Sequence, residues 1–216
     1  MATSMLEQLF STLQTLVFKQ VGKKITTNAL KNIMDIFFII FEKVGCKFEI
    51  ISDIYLKLYQ EIVTEEIAMT QITSQDKVLV IGSGSLPATP VLIARNTHAQ
   101  TTTIDKDCNA VKEAILYVKN HHLEKILSIE CADGFTYPLE RFTVIVVLYG
   151  VKHPAVLLNQ LAKRMSQHTK VIYRTITDPQ GRITDKTLDL SGYFTIKNHV
   201  HTETLGSFDS FLLTKK

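Results

Sequence analysis

The chain has no tryptophan, and only three cysteines, five prolines and nine glycines in 216 residues. Cys46, Cys108 and Cys131 are scattered, odd in number and form no CxxC pair. They therefore suggest neither a disulfide framework nor a thiolate metal site, and a reducing cytoplasm is the simplest compartment. The N-terminus, MATSMLEQLF, lacks a basic segment followed by a long apolar core, so no signal peptide is expected. The most apolar early stretch, IMDIFFIIF at 33–41, contains Asp35 and is too short to span a bilayer. Charge of one sign is scarce as well. The net +3 comes from 24 basic against 21 acidic side chains, with no basic cluster that would suit nucleic acid. A hydrophobic share of 45 % leaves material for one well-filled core.

What is present falls into two parts that meet near residue 75. Residues 1–74 contain almost no glycine or proline and read as helices. Leu6, Leu9, Phe10, Leu13, Leu16 and Val17 recur at three- and four-residue spacing. A second such pattern runs from about 28 to 44, and a third from 52 to 69, with Ile54, Leu58, Ile62 and Ile67 along one side. Residues 75–216 alternate. KVLVIG (77–82), TTTID (101–105), ILSIECAD (126–133), TVIVVLYG (143–150) and TKVIYRTIT (169–177) read as strands. PATPVLIARN, CNAVKEAILYVKNHH and PAVLLNQLAKRM read as the helices between them. Strands alternating with helices predict a parallel sheet covered on both faces. The last segment has two strand-like runs and no helical pattern, which predicts an antiparallel hairpin at the sheet edge. The expected fold is therefore α/β: a doubly wound, Rossmann-like sheet of the class I methyltransferase arrangement, ending in an antiparallel hairpin and preceded by a helical subdomain.

The residues that carry chemistry lie where these strands end. In VLVIGSGSLPATP (78–90), Gly82 and Gly84 allow a sharp turn with open backbone, and Pro87 suits the first turn of a helix. The pattern Gly82-x-Gly84-x-x-Pro87 lacks the third glycine of a dinucleotide fingerprint, which counts against NAD or FAD. Asp105, at the end of the second strand, is placed to accept from ribose hydroxyls. As an isolated residue it is equally suited to capping the next helix, although Asp107 is the better cap. Asp133-Gly134 ends the third strand, where an acid suits an adenine amino group, or simply a turn. A glycine loop followed by two acids in this order, with Ser83, Leu86 and Lys106 alongside, points to S-adenosyl-L-methionine. The histidines at 121, 122, 199 and 201 form no metal-ligand grouping with acids or thiols.

IGSGSLPATPVLIA resembles the glycine loop of nicotianamine synthases, close to GSGPLPLTxxxLA. YLKLYQEIVTEE (55–66) is similar to their YLKLxxLE helix, and VIYRTITDPQG (171–181) to an IIYRTxTG strand. The resemblance covers about residues 54–182. It implies transfer of the aminocarboxypropyl group of S-adenosylmethionine to a small amine or amino acid, with release of methylthioadenosine; plain methyl transfer is the runner-up and a non-catalytic binding module a third reading. It also implies that the N-terminal helices form a lid, although such helices equally suit a homodimer surface, and that one acid on the third helix takes a proton from the amine. The chain departs from the family at that acid: Ile62 takes its place, with Glu61 and Glu65 flanking it. Those two and Tyr149 are the catalytic candidates. Tyr55, Tyr59 and Arg174 are the substrate-binding candidates, with Arg174 suited to a substrate carboxylate or to a surface salt bridge.

Overall fold

The computed structural model describes residues 49–177, 183, 190–202 and 208–216. The first two helical patterns, and most of the proposed 1–74 subdomain, lie outside the described residues.

The elements run α1 (Glu49–Thr70), β1 (Lys77–Ile81), α2 (Ala88–Thr97), β2 (Gln100–Asp105), α3 (Cys108–Asn120), β3 (Leu127–Cys131), β4 (Val144–Val147), α4 (Pro154–Arg164), β5 (Lys170–Ile176), β6 (Phe194–Thr202) and β7 (Phe208–Lys215). The seven strands form one sheet in the order β3-β2-β1-β4-β5-β7-β6. The first five are parallel, and β7 inserts antiparallel between β5 and β6. This is the Rossmann-like class I methyltransferase arrangement, and the terminal hairpin is where the sequence placed it.

The central strands are apolar on both faces because both faces are covered. On β1, Val78 and Val80 pack into a core beneath α1, α2 and α3, while Leu79 and Ile81 pack into a second core with Leu157, Leu158 and Leu161 of α4. On β4, Val144 and Val146 join the first core, and Ile145 and Val147 the second. The order reverses at β1, whose neighbours are β2 and β4, so a crevice opens beyond the carboxyl ends of those strands.

The third helical pattern is a real helix, and its buried face only partly matches the one expected. Ile54 and Ile62 are buried as expected, Tyr55, Leu56, Val63, Glu66 and Thr70 are buried as well, and Leu58 and Ile67 are only half-buried. The spacing 55, 62, 66, 70 follows one helix face, and an acid sits in the middle of it. Tyr55, Leu56, Ile62 and Val63 share the core of β1 and β4, so α1 is packed directly on the sheet.

The cysteine reading is overturned. Cys108 and Cys131 are joined by a disulfide, with their Cα atoms 5.1 Å apart. Sequence spacing hid this because the sheet creates the proximity. In the parallel pair β2–β3, Asp105 lies opposite Cys131, and three residues after Asp105 the chain starts α3 with Cys108. Cys46 lies outside the described residues.

Candidate active site

A cavity of about 370 Å³ occupies the crevice, within the size range of small-molecule sites. Its walls come from the β1–α2 loop, the ends of β2, β3 and β4, and α1, with Arg174 of β5 and Phe208 of β7.

The β1–α2 loop follows from its glycines. Gly82 and Gly84 have φ of +88° and +64°, a region that L side chains avoid. A Cβ on Gly82 would also come within 2.9 Å of Val151, in the β4–α4 loop. Pro87 stands at the N-cap rather than inside the first turn, and α2 begins at Ala88; the one-residue difference is of the size that helix ends commonly show. The Ser83 hydroxyl is buried in this loop and has no hydrogen-bond partner among the described residues. A buried hydroxyl without a partner costs free energy, so Ser83 is suited to a polar ligand. Leu86 lines the same wall and is fully buried.

Asp105 works in two directions. One carboxylate oxygen accepts the Gly84 N–H at 2.9 Å and the other accepts the Asp107 N–H at 2.9 Å. It thus ties the glycine loop to the turn after β2, and each oxygen keeps a further lone pair for a ligand hydroxyl. Asp107 is the cap of α3, accepting from Asn109 and Ala110, as the sequence suggested. Lys106 is exposed at the rim. Asp133 accepts the Phe135 N–H at 2.9 Å through Oδ1, so turn-making and cavity-lining coexist in one residue. Gly134 lies so close to Ile81 that a Cβ there would come within 2.9 Å of it.

Much of the remaining lining is aromatic. The Tyr55 and Tyr59 rings of α1 lie 4.8 Å apart, tilted by 47°, and the Tyr55 hydroxyl donates to that of Tyr59 at 3.2 Å. Tyr149, just past β4, meets Phe208 edge-on at 5.2 Å. All four rings line the cavity.

Arg174 lines the cavity but is 2 % exposed, which rules out the surface salt bridge; its charge is paired inside the protein. Its Nε and Nη2 donate to the two oxygens of Glu66 at 2.9 and 2.6 Å, and Nη1 donates to the Thr89 hydroxyl at 3.0 Å. Ser210 also donates to Glu66. Burial alone would lower the guanidinium pKa, but the Glu66 carboxylate outweighs it and holds the group above its ordinary value. An arginine within an apolar strand needs a buried counter-ion. Glu66 is that residue, and sequence reasoning missed it. The available signal was an acid four residues beyond Ile62, on the buried face.

Glu61 and Glu65 are exposed and do not line the cavity. Glu61 accepts from Thr202 of β6 at 3.1 Å. The structure therefore gathers Tyr55, Tyr59, Gly82, Ser83, Gly84, Leu86, Asp105, Lys106, Asp133, Gly134, Tyr149 and Arg174 around one cavity, and leaves the two candidate acids outside. Sequence reasoning also missed Thr89, Phe135, Val151 and Phe208 among the lining residues. Of the histidines, His201 has its Nδ1 3.1 Å from Asp209. Among the described residues, no group of three or more His, Cys, Asp or Glu side chains could hold a metal ion. No helix among them is long and apolar enough to cross a membrane.

The chain matches no protein-family profile. A curated protein of Yersinia pestis named L-histidine 2-aminobutanoyltransferase is 27 % identical over 124 residues, which is 57 % of this chain and 46 % of that protein. The chain thus spans less than half the length of the curated relative it matches. Among solved structures, a Glu-to-Gln mutant of MtNAS, a nicotianamine synthase, in complex with S-adenosylmethionine, superposes with a TM-score of 0.78 at 14 % identity, over 100 % of this chain and 93 % of that one. An RNA methyltransferase from Salinibacter ruber in complex with S-adenosyl-L-homocysteine gives 0.58 at 18 %, over 72 % of this chain and 92 % of that one. At these identities the likeness establishes the fold.

Proposed function

We propose that the protein is an S-adenosyl-L-methionine-dependent transferase that moves the aminocarboxypropyl group to the amine of a small molecule or amino acid. The observation that carries this reading is that one cavity is lined both by the Ser83 loop, Asp105 and Asp133 and by Tyr55 and Tyr59 of α1. The superposition on MtNAS, which extends over the whole chain and so includes α1, supports transfer of the larger group. The Yersinia pestis relative is named for an amino acid acceptor, so L-histidine is the first acceptor to try.

The residues fit the donor. Ser83, Gly84 and Asp105 would hold its ribose and amino acid portions, Asp133 and Gly134 its adenine. When bound, the donor supplies an activated carbon next to a sulfonium, and methylthioadenosine leaves as the amine takes the group. The protein's part is mainly alignment and exclusion of water. Among the described lining residues the carboxylates are Asp105 and Asp133, both assigned to the donor. The amine therefore reacts as the free base, oriented by Tyr59 and Tyr149, and releases its proton after the new bond forms. Glu61 and Glu65 have no role in this scheme. Arg174 shapes the floor without offering an unpaired charge.

Incubation with the donor and a pool of amino acids and polyamines tests the proposal. Methylthioadenosine above the spontaneous background supports it. S-adenosylhomocysteine would make the protein a methyltransferase, the second reading, which rests on the shared sheet topology.

A further inference from the structure

The disulfide sits between the two walls that the proposed donor needs. Cys131 is the last residue of β3 and stands two residues before Asp133. Cys108 is the first residue of α3 and stands three residues after Asp105. Across the β2–β3 ladder Asp105 is opposite Cys131, and the Ala132 N–H donates to the Asp105 carbonyl at 3.0 Å. The Cys131 sulfur also lies 3.9 Å from the Lys106 carbonyl. The bridge therefore links the segment 105–108 to the segment 131–134, and both segments contribute to the cavity lining.

The start of α3 lies on the surface. The first buried side chain of α3 is Val111, a full turn beyond Cys108, and residues 106–109 are exposed. The ladder holds Asp105 itself against β3 and the Asp107 cap is local to α3, so beyond Asp105 the bridge adds a covalent tie between this turn and β3. Both cysteines are also exposed, which makes the sulfurs reachable by a small thiol. A bridge whose sulfurs a small thiolate can reach is open to exchange.

We propose that Cys108–Cys131 is a reversible thiol–disulfide site that tunes donor affinity by holding the turn after Asp105 against the end of β3. In the opening reaction, a small-molecule thiolate such as glutathione attacks one bridge sulfur. The other cysteine leaves as a thiolate and takes a proton, and a mixed disulfide remains. A second small-molecule thiolate attacks that mixed disulfide at its own partner's sulfur. The second cysteine is released and protonated, and oxidised glutathione departs. Two electrons pass to the protein and two protons are taken up; the reverse reaction closes the bridge.

With the bridge open, ligand binding must itself order the two segments, so affinity falls by about tenfold. Coupling is reciprocal: bound donor must shift the thiol–disulfide equilibrium toward the bridge by the same factor. This inference rests on the donor reading above, and its test separates the two. In a Cys46→Ser background, leaving two cysteines to report, S-adenosylmethionine and methylthioadenosine binding is measured by calorimetry on oxidised protein, on protein reduced with glutathione, and on Cys108→Ser and Cys131→Ser. Amide hydrogen exchange is followed at residues 105–109 and 131–135 in the same samples. The expected result is about tenfold weaker binding in the reduced protein and in both variants, with faster exchange confined to those amides. Equal affinity in the oxidised and reduced protein would overturn the proposal, as would exchange that is unchanged on reduction. Absence of binding in every sample with exchange still redox-dependent would sink the donor reading and leave the clamp standing.

Discussion

Replacing Glu66 by alanine tests the energetic reading of the site floor. Glu66 is fully buried and Arg174 is 2 % exposed, so the variant leaves a guanidinium in the core without its counter-ion and leaves Ser210 without its acceptor. Breaking a buried pair from one side costs about 3–5 kcal/mol. For a chain of this size each kcal/mol lowers Tm by roughly 2–4 °C, so a fall of about 12 °C is expected. The pair itself is close to break-even against packed apolar groups. The double variant Glu66→Met/Arg174→Met should therefore recover most of the loss, and Glu66→Gln should fall in between. Urea unfolding of the four proteins gives the comparison. The reasoning fails if Glu66→Ala loses less than about 1 kcal/mol, the scale of an exposed pair, or if the double variant is no more stable than the single one.

Other outcomes follow from the same structure. Ser83→Ala removes a buried hydroxyl that has no partner among the described residues, so unfolding should show unchanged or slightly raised stability while donor affinity drops severalfold. Gly84→Ala forces a side chain into left-handed backbone; it should cost about 1–2 kcal/mol in urea unfolding and weaken donor binding. Asp76 is half-buried. Burial works to raise its pKa, but the Thr73 N–H, the Thr143 and Thr73 hydroxyls and the Lys170 ammonium outweigh it, holding the carboxyl below its ordinary 3.8. Its stabilisation is full above the unfolded value and is lost as pH falls through the lower folded value. The stability gap between wild type and Asp76→Asn should therefore be constant near neutrality and shrink below about pH 4. Finally, if the amine reacts as the free base, kcat/KM should rise about tenfold per pH unit up to the acceptor's own amine pKa and then level off. A plateau displaced well below that pKa would point to a protein base.

The sheet was legible because its strands are short apolar runs separated by glycine, proline and aspartate, and because the last segment holds two strand-like runs without a helical pattern. Every strand from 77 onward lies within a few residues of its expected place. The glycine loop and the two acids of the site were legible for a related reason: Gly82, Gly84, Asp105 and Asp133 all sit at strand ends, and the topology then brings strand ends together. The floor was less legible. Arg174 and Glu66 lie 108 residues apart, and nothing local marks them as partners. Glu61 and Glu65 were singled out instead of Glu66 because only the packing of Tyr55, Ile62 and Thr70 shows which side of the helix is buried. The Cys108–Cys131 bridge was invisible for the same reason, since strand pairing alone brings residues 23 apart within bonding reach.

Following the donor's atoms tests the central claim most directly. Two preparations of S-adenosylmethionine are used, one isotopically labelled in the methyl group and one in the carboxyl-bearing chain, each incubated with L-histidine and the oxidised protein. The account predicts that the chain label appears in the amine product and the methyl label in methylthioadenosine. Methyl label in the amine product, with chain label retained in S-adenosylhomocysteine, would contradict it.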